Sequence, residues 1–210
     1  MEGETMKVHT SRIGFWAAVL ATVFGFAFSV AALAQAAGVF VAPWGTFWVV
    51  APSIFLAWCY MVLMACVFDA ASPERRIWAT IGFGFALIYS TINSIVYMTV
   101  LAVVIPHILR SEAASVTLLL FEPGRFLFAV NGLAYGLMSV SALFASPVFT
   151  QRGLETRVRW AMVAHGVIAP TIVGALAWPW LMYLGALWMV TFPAMTISLA
   201  TWFRANKSSG

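Results

Sequence analysis

Residues 78–105 read WATIGFGFALIYSTINSIVYMTVLAVVI, with no charged side chain anywhere in the stretch. A helix needs about 20 apolar residues to cross the hydrocarbon of a bilayer, so this segment is long enough. Its middle is nevertheless polar, carrying Tyr89, Ser90, Asn93, Ser94 and Tyr97. At about 100° per residue these five fall within one sector of about 140°, while Ile88, Ile92, Ile95 and Val96 lie outside it. Unpaired polar groups in hydrocarbon cost several kcal/mol, so the stripe has to face protein rather than lipid. The segment is therefore one helix of a bundle whose other members supply hydrogen-bonding partners.

Composition extends this reading to the whole chain. Of 210 residues, 63% are hydrophobic and only 9% are charged. Soluble domains carry about a quarter charged residues, and a soluble core cannot absorb so apolar a chain. The fold class expected is all-α, a polytopic transmembrane helix bundle forming a single domain over residues 1–210. Six spans are expected, at about 13–37, 44–68, 78–105, 126–149, 160–177 and 181–203. The first could be taken for a signal peptide, because the run Ala32-Leu33-Ala34-Gln35-Ala36 resembles a cleavage site. Its apolar run exceeds the 7–15 residues of a signal peptide, so a retained span is expected. Between spans 3 and 4 lies the one long loop, residues 106–125. Ser111-Glu112 looks like a helix cap there and Glu122-Pro123-Gly124 a stop, so a short interfacial helix is expected, too short to cross.

An even number of spans puts both termini on one side. Nine of the eleven Lys and Arg then fall on the terminal side, and only Arg110 and Arg125 fall on the other. The positive-inside rule makes the terminal side cytoplasmic, hence N-in and C-in. The net charge of +4 is thus a topology signal and not a nucleic-acid surface. Cys59 and Cys66 lie seven residues apart on one helix, about 10 Å along its axis, which is beyond the reach of a disulfide.

No acidic or basic residue sits in the middle of a span, which argues against a carboxylate-based ion carrier and against a charged aqueous pore. His165 is the one histidine inside a span. A metal or haem site would need a partner at helical spacing, and there is none, so no metal, cofactor or catalytic residue is expected. On span 4, Asn131, Tyr135 and Ser139 recur every four residues, beside a Gly132/Gly136 pair that permits close helix approach. Spans 3 and 4 are expected to pack so that Asn131 and Tyr135 face Asn93 and Tyr97. The same glycine pair is expected to let span 4 approach span 3 closely, and it also offers a face to a second copy or a membrane partner. Val50-Ala-Pro-Ser-Ile54 and Ile168-Ala-Pro-Thr-Ile172 are alike and lie in spans of opposite direction, as an inverted repeat would require.

Several further features lie between residues 83 and 160. They are the Tyr/Asn-bearing span 3, Pro106, Ser111-Glu112, Pro123, Gly132, Tyr135, Met138-Ser139, Phe144, Leu154-Glu155 and Arg159-Trp160. On these the chain resembles a group of uncharacterised bacterial six-span inner-membrane proteins. That resemblance implies a bacterial cytoplasmic membrane and no particular activity.

The leading expectation is a protein that binds or passes an uncharged or amphipathic small molecule or lipid. Its candidate ligand-binding residues are Tyr89, Asn93, Tyr97, Asn131, Tyr135 and His165, with the bilayer as surroundings and nucleic acid excluded. An accessory or scaffold subunit whose polar residues only pack helices is the alternative. An intramembrane enzyme built on His165 ranks third.

Overall fold

The structure, a computed structural model, describes residues 2–150 and 152–207, excluding the side chains of residues 2–8 and 207. Among these residues all regular structure is helical. The main elements are α1 (Glu2–Ala36), α2 (Trp44–Asp69), α3 (Arg76–Thr99) and a short α4 (Ile105–Leu109). They are followed by α5 (Phe126–Ala145), α6 (Leu154–Gly166), α7 (Ala169–Gly174), α8 (Met182–Gly185) and α9 (Trp188–Lys207). Five helical stretches are long and apolar enough to cross a membrane: 9–36, 44–69, 73–109, 126–148 and 179–206. They match expected spans 1, 2, 3, 4 and 6.

Large apolar side chains line the outside of these helices. On α1, Trp16, Leu20, Val23, Val30 and Leu33 are exposed at helical spacing, and on α3 Ile88 and Ile95 are exposed while Tyr89, Asn93 and Tyr97 are buried. A soluble protein does not show water so continuous an apolar face. This is the surface of a membrane protein, with its polar stripe turned inward.

The helices close into a ring. α1 packs on α2 and α9, α2 on α3, α3 on α5, α5 on α6, and α6 on α9. Consecutive members alternate in direction, as contacts at one end of the bundle demonstrate. There Thr10 on α1 donates to Asp69 at the end of α2 at 2.6 Å, and the Arg76 guanidinium at the start of α3 lies over the Phe68 ring. Glu155 on α6 accepts from Trp202 on α9 at 3.4 Å. Gly14 on α1 abuts the Phe203 ring, so the two terminal helices meet at this same end.

The expected fifth span is not one continuous helix. α6 begins at Leu154 within the charged loop and ends at Gly166, and a turn at Val167-Ile168 separates it from α7. Pro170 has no N–H to bond the Gly166 carbonyl, so the helix is interrupted there. Pro52 lies in the matching motif of α2, yet it sits inside an unbroken helix. The sequence likeness of the two motifs is therefore not matched by a likeness of structure.

Pro106, expected to close span 3, does not close it. The chain passes through a single π-helical turn at Val100–Val104 and continues as α4 to Leu109. Widening the turn accommodates the missing N–H without ending the helix.

The interfacial segment also differs from expectation. It is a 3-10 stretch, Ala113–Leu119, kinked at Val116. Ser111 adopts a positive φ and does not act as a cap, and Glu112 pairs instead with Arg110 at 3.0 Å. Ser115 and Thr117 turn their hydroxyls onto nearby backbone carbonyls, which competes with regular helix. Both cysteines are free, Cys66 buried and Cys59 partly exposed.

Candidate functional site

All six ring elements send an aromatic side chain to the middle of the bundle. Phe28 comes from α1, Tyr60 from α2, Tyr89 from α3, Tyr135 from α5 and His165 from α6, while α9 gives Trp188 and Phe192. Tyr135 is central, with ring centroids 5.8 Å from Tyr89, 6.0 Å from Phe28 and 5.3 Å from Trp188. Trp188 stacks on Phe192 at 4.8 Å, and Phe192 continues to His165 at 5.6 Å and Tyr60 at 6.1 Å. Tyr60 then meets Tyr89 edge-on at 5.6 Å, which closes the circuit. Four of the five tyrosines in the chain (60, 89, 97 and 135) are buried in or beside this cluster, and the fifth, Tyr183, is exposed.

Helices α3 and α5 can approach closely because Gly82 has no side chain. A Cβ there would lie 2.8 Å from Ala145 Cβ and 2.9 Å from the Ser141 carbonyl oxygen. Across this contact the Ser141 hydroxyl donates to the Gly82 carbonyl at 2.6 Å and accepts from Tyr60 at 3.1 Å. Higher on the same pair, Tyr97 donates to the Tyr135 hydroxyl at 3.1 Å. The expected packing of spans 3 and 4 is therefore present, and the two tyrosines meet.

The two asparagines do not hydrogen-bond each other, although Asn93 is one turn from Tyr97 on α3 and Asn131 one turn from Tyr135 on α5. Neither Asn93 Nδ2 nor Asn93 Oδ1 makes a well-formed hydrogen bond, although the residue is wholly buried and the Tyr89 hydroxyl lies against it. Asn131 is half-buried, and its Oδ1 is likewise buried and unpaired. The Tyr89 hydroxyl, Ser139 Oγ, His165 Nε2 and Trp188 Nε1 share this condition. Native interiors leave few such groups unpaired, and in hydrocarbon each one is costly.

His165 sits at the last turn of α6 because Gly166, next to it, lets α6 touch the α5 backbone at Leu143. Its Nδ1 lies 3.1 Å from the Thr191 hydroxyl on α9. The Thr191 hydroxyl is also 3.1 Å from the Leu187 carbonyl, and with its proton assigned there Nδ1 is the donor in the His–Thr contact. Nε2 is then a bare acceptor facing the aromatic cluster. Nitrogen-15 NMR of the folded protein is expected to show the neutral Nδ1–H tautomer. Thr191→Val removes the acceptor and is expected to cost about 1 kcal/mol in unfolding titrations.

The Gly132/Gly136 face is covered from within the chain. A Cβ on Gly136 would lie 2.4 Å from Val173 Cγ2, and one on Gly132 would lie 3.0 Å from Leu176. Both neighbours belong to the α7 region.

The structure thus brings Tyr89, Asn93, Tyr97 and Tyr135 together with His165 on the far side of the same cluster, and leaves Asn131 at its edge. Sequence reasoning missed Phe28, Tyr60, Trp188, Phe192, Ser141 and Thr191. Two signals were present. Tyr60 is a phenol in the middle of an otherwise apolar span, and Trp188 lies too far inside span 6 to serve as an interfacial anchor.

No family model, curated protein or solved structure matches this chain. Function has to be argued from the site. Chemically, the centre offers hydrogen-bond donors from Tyr89, Asn93, Ser139 and Trp188 and acceptors from Asn93 and His165, between flat aromatic walls. No group of three or more metal-ligating side chains occurs among the described residues.

Proposed function

We propose that this chain is a bacterial inner-membrane protein that crosses the bilayer six times, with both termini in the cytoplasm. At its aromatic centre it binds, or passes, an uncharged or amphipathic small molecule or lipid. The α6–α7 segment supplies the sixth crossing, as a broken helix. The excess of Lys and Arg at the end where the termini meet supports the orientation, and the resemblance of residues 83–160 to bacterial six-span proteins supports the setting.

One observation carries the binding role. Seven buried side-chain N and O atoms lack a well-formed hydrogen bond to protein, and five of them, on Tyr89, Asn93, His165 and Trp188, lie in or beside a cluster reached by every element of the ring. Side chains that only hold helices together bond to each other, as Tyr60 with Ser141 and Tyr97 with Tyr135 do. The remaining groups are arranged for something other than protein. Apolar walls with a few convergent polar atoms are the lining of a small-molecule site, and because these rings are buried in mutual contact they have to part to admit a ligand. The role is read as binding rather than catalysis, since the hydroxyl beside the His165 imidazole, that of Thr191, is turned onto the Leu187 carbonyl.

The test is the double variant Asn93→Leu plus Asn131→Leu. Leucine keeps asparagine's branched skeleton and removes amides that lack a well-formed hydrogen bond, but it is bulkier, so the bundle is expected to stay folded with a loss of at most about 2 kcal/mol. Small molecules extracted from the purified protein and measured by mass spectrometry are expected to disappear in the variant. A bundle that melts or dissociates early would instead support an accessory subunit stitched together by its amides, and would end the binding proposal.

A further inference from the structure

The flanks of α1, away from the aromatic centre, carry a second kind of site. Between α1 and α2 runs a groove of about 520 Å³, with His9 and Arg12 at its mouth and Trp16, Leu20, Trp58 and Val62 along its walls. On the opposite flank, between α1 and α9, a groove of about 290 Å³ has Arg204 at the same end of the bundle, above Val23 and Ile197. The described ion pairs involve neither Arg12 nor Arg204. Asp69, near the first mouth, accepts from Thr10 at 2.6 Å.

Each groove therefore sets a guanidinium over an apolar trough that opens to the lipid side. Water-soluble anions have no use for the trough, and an acyl chain without a charged head leaves the guanidinium unanswered. An amphiphile with an anionic head satisfies both parts. Arginine forms two parallel hydrogen bonds to a phosphate, and basic pockets between membrane helices recognise acidic headgroups in this way. We propose that the two flanks of α1 are binding sites for anionic phospholipid, with the phosphate on Arg12 and His9 in one and on Arg204 in the other. These sites are independent of the aromatic centre, and either proposal stands if the other fails.

The test uses the full chain in detergent, incubated with phosphatidylglycerol or with phosphatidylcholine of identical acyl chains, and native mass spectrometry to count retained lipid. Wild type is expected to retain phosphatidylglycerol preferentially. Arg12→Gln and Arg204→Gln are each expected to lower that retention by about fivefold, and Arg12→Lys to recover part of it. Arg75→Gln, at the same end of the bundle but outside both grooves, is expected to change nothing.

Equal retention of the two lipids by wild type would overturn the proposal, and so would an equal loss from Arg75→Gln, which would reduce the effect to bulk charge. Cys59 lines the larger groove and Cys66 is buried, so oxidative cross-linking adds a third check. A Cys59–Cys59 dimer that excludes lipid would assign the groove to a second copy of the chain. Should Arg12→Gln fail to fold, the wild-type comparison of the two lipids decides alone.

Discussion

Trp188→Ala is expected to destabilise the bundle by about 3 kcal/mol, at the low end of the range for emptying an aromatic site. Trp188 is 5% exposed and touches Phe28, Tyr135, His165 and Phe192, so truncation removes the common wall of the centre. The low end applies because a membrane protein unfolded in lipid keeps its indole in apolar surroundings. What is lost is then the ring contacts and the void left behind, not transfer from water. A titration with sodium dodecyl sulfate, followed by circular dichroism, measures the change. Trp188→Phe provides the control. It keeps most of the wall and deletes an indole N–H that has no protein partner, so it is expected to cost less than about 1 kcal/mol. An alanine variant that unfolds at the wild-type midpoint would mean that the indole is not packed at the centre.

The second large effect is expected at Gly82. Gly82→Ala drives a methyl group against Ala145 Cβ and the Ser141 carbonyl, both within 2.9 Å of the new carbon. Those atoms belong to the helix backbone or its first carbon and cannot swing aside, so α3 and α5 have to separate. Overpacking costs about 1–3 kcal/mol, and losing the Ser141–Gly82 and Tyr60–Ser141 bonds adds about 1 kcal/mol each at most. A net loss of about 2–3 kcal/mol is expected. Gly84 lies two residues away with nothing within 4 Å of its added Cβ. Gly84→Ala is therefore expected to be neutral or to gain up to about 1 kcal/mol from helix propensity. The opposite signs of the two substitutions, read in one denaturation series, separate close packing from a general intolerance of larger residues.

Both predictions depend on features that hydropathy and periodicity do not contain. Five membrane-length helices and the inward turn of the α3 stripe were legible in residues 78–105 and their neighbours, because lipid penalises polar groups whatever the fold. The meeting of Tyr97 with Tyr135 followed from two polar faces with the same obligation. The lack of a hydrogen bond between Asn93 and Asn131 did not, because it depends on how each side chain is turned within the packed pair. Gly132 and Gly136 announced a close contact but were expected to meet span 3, whereas the α7 region of the same chain covers them.

The amino-acid sequence by itself determined the solvent this protein lives in and which side of each long helix avoids it, since both follow from the free energy of moving side chains between lipid and protein. Only the tertiary structure decided that His165, Trp188 and Tyr60 join Tyr89 and Tyr135 in one cluster, and that of the two prolines expected to kink their helices Pro170 interrupts its own while Pro52 does not. Those outcomes depend on which helices are neighbours and at what height, and that is set by close contacts such as Gly82 on Ala145 and Gly166 on Leu143. Such contacts join residues tens of positions apart, and no local pattern along the chain encodes them.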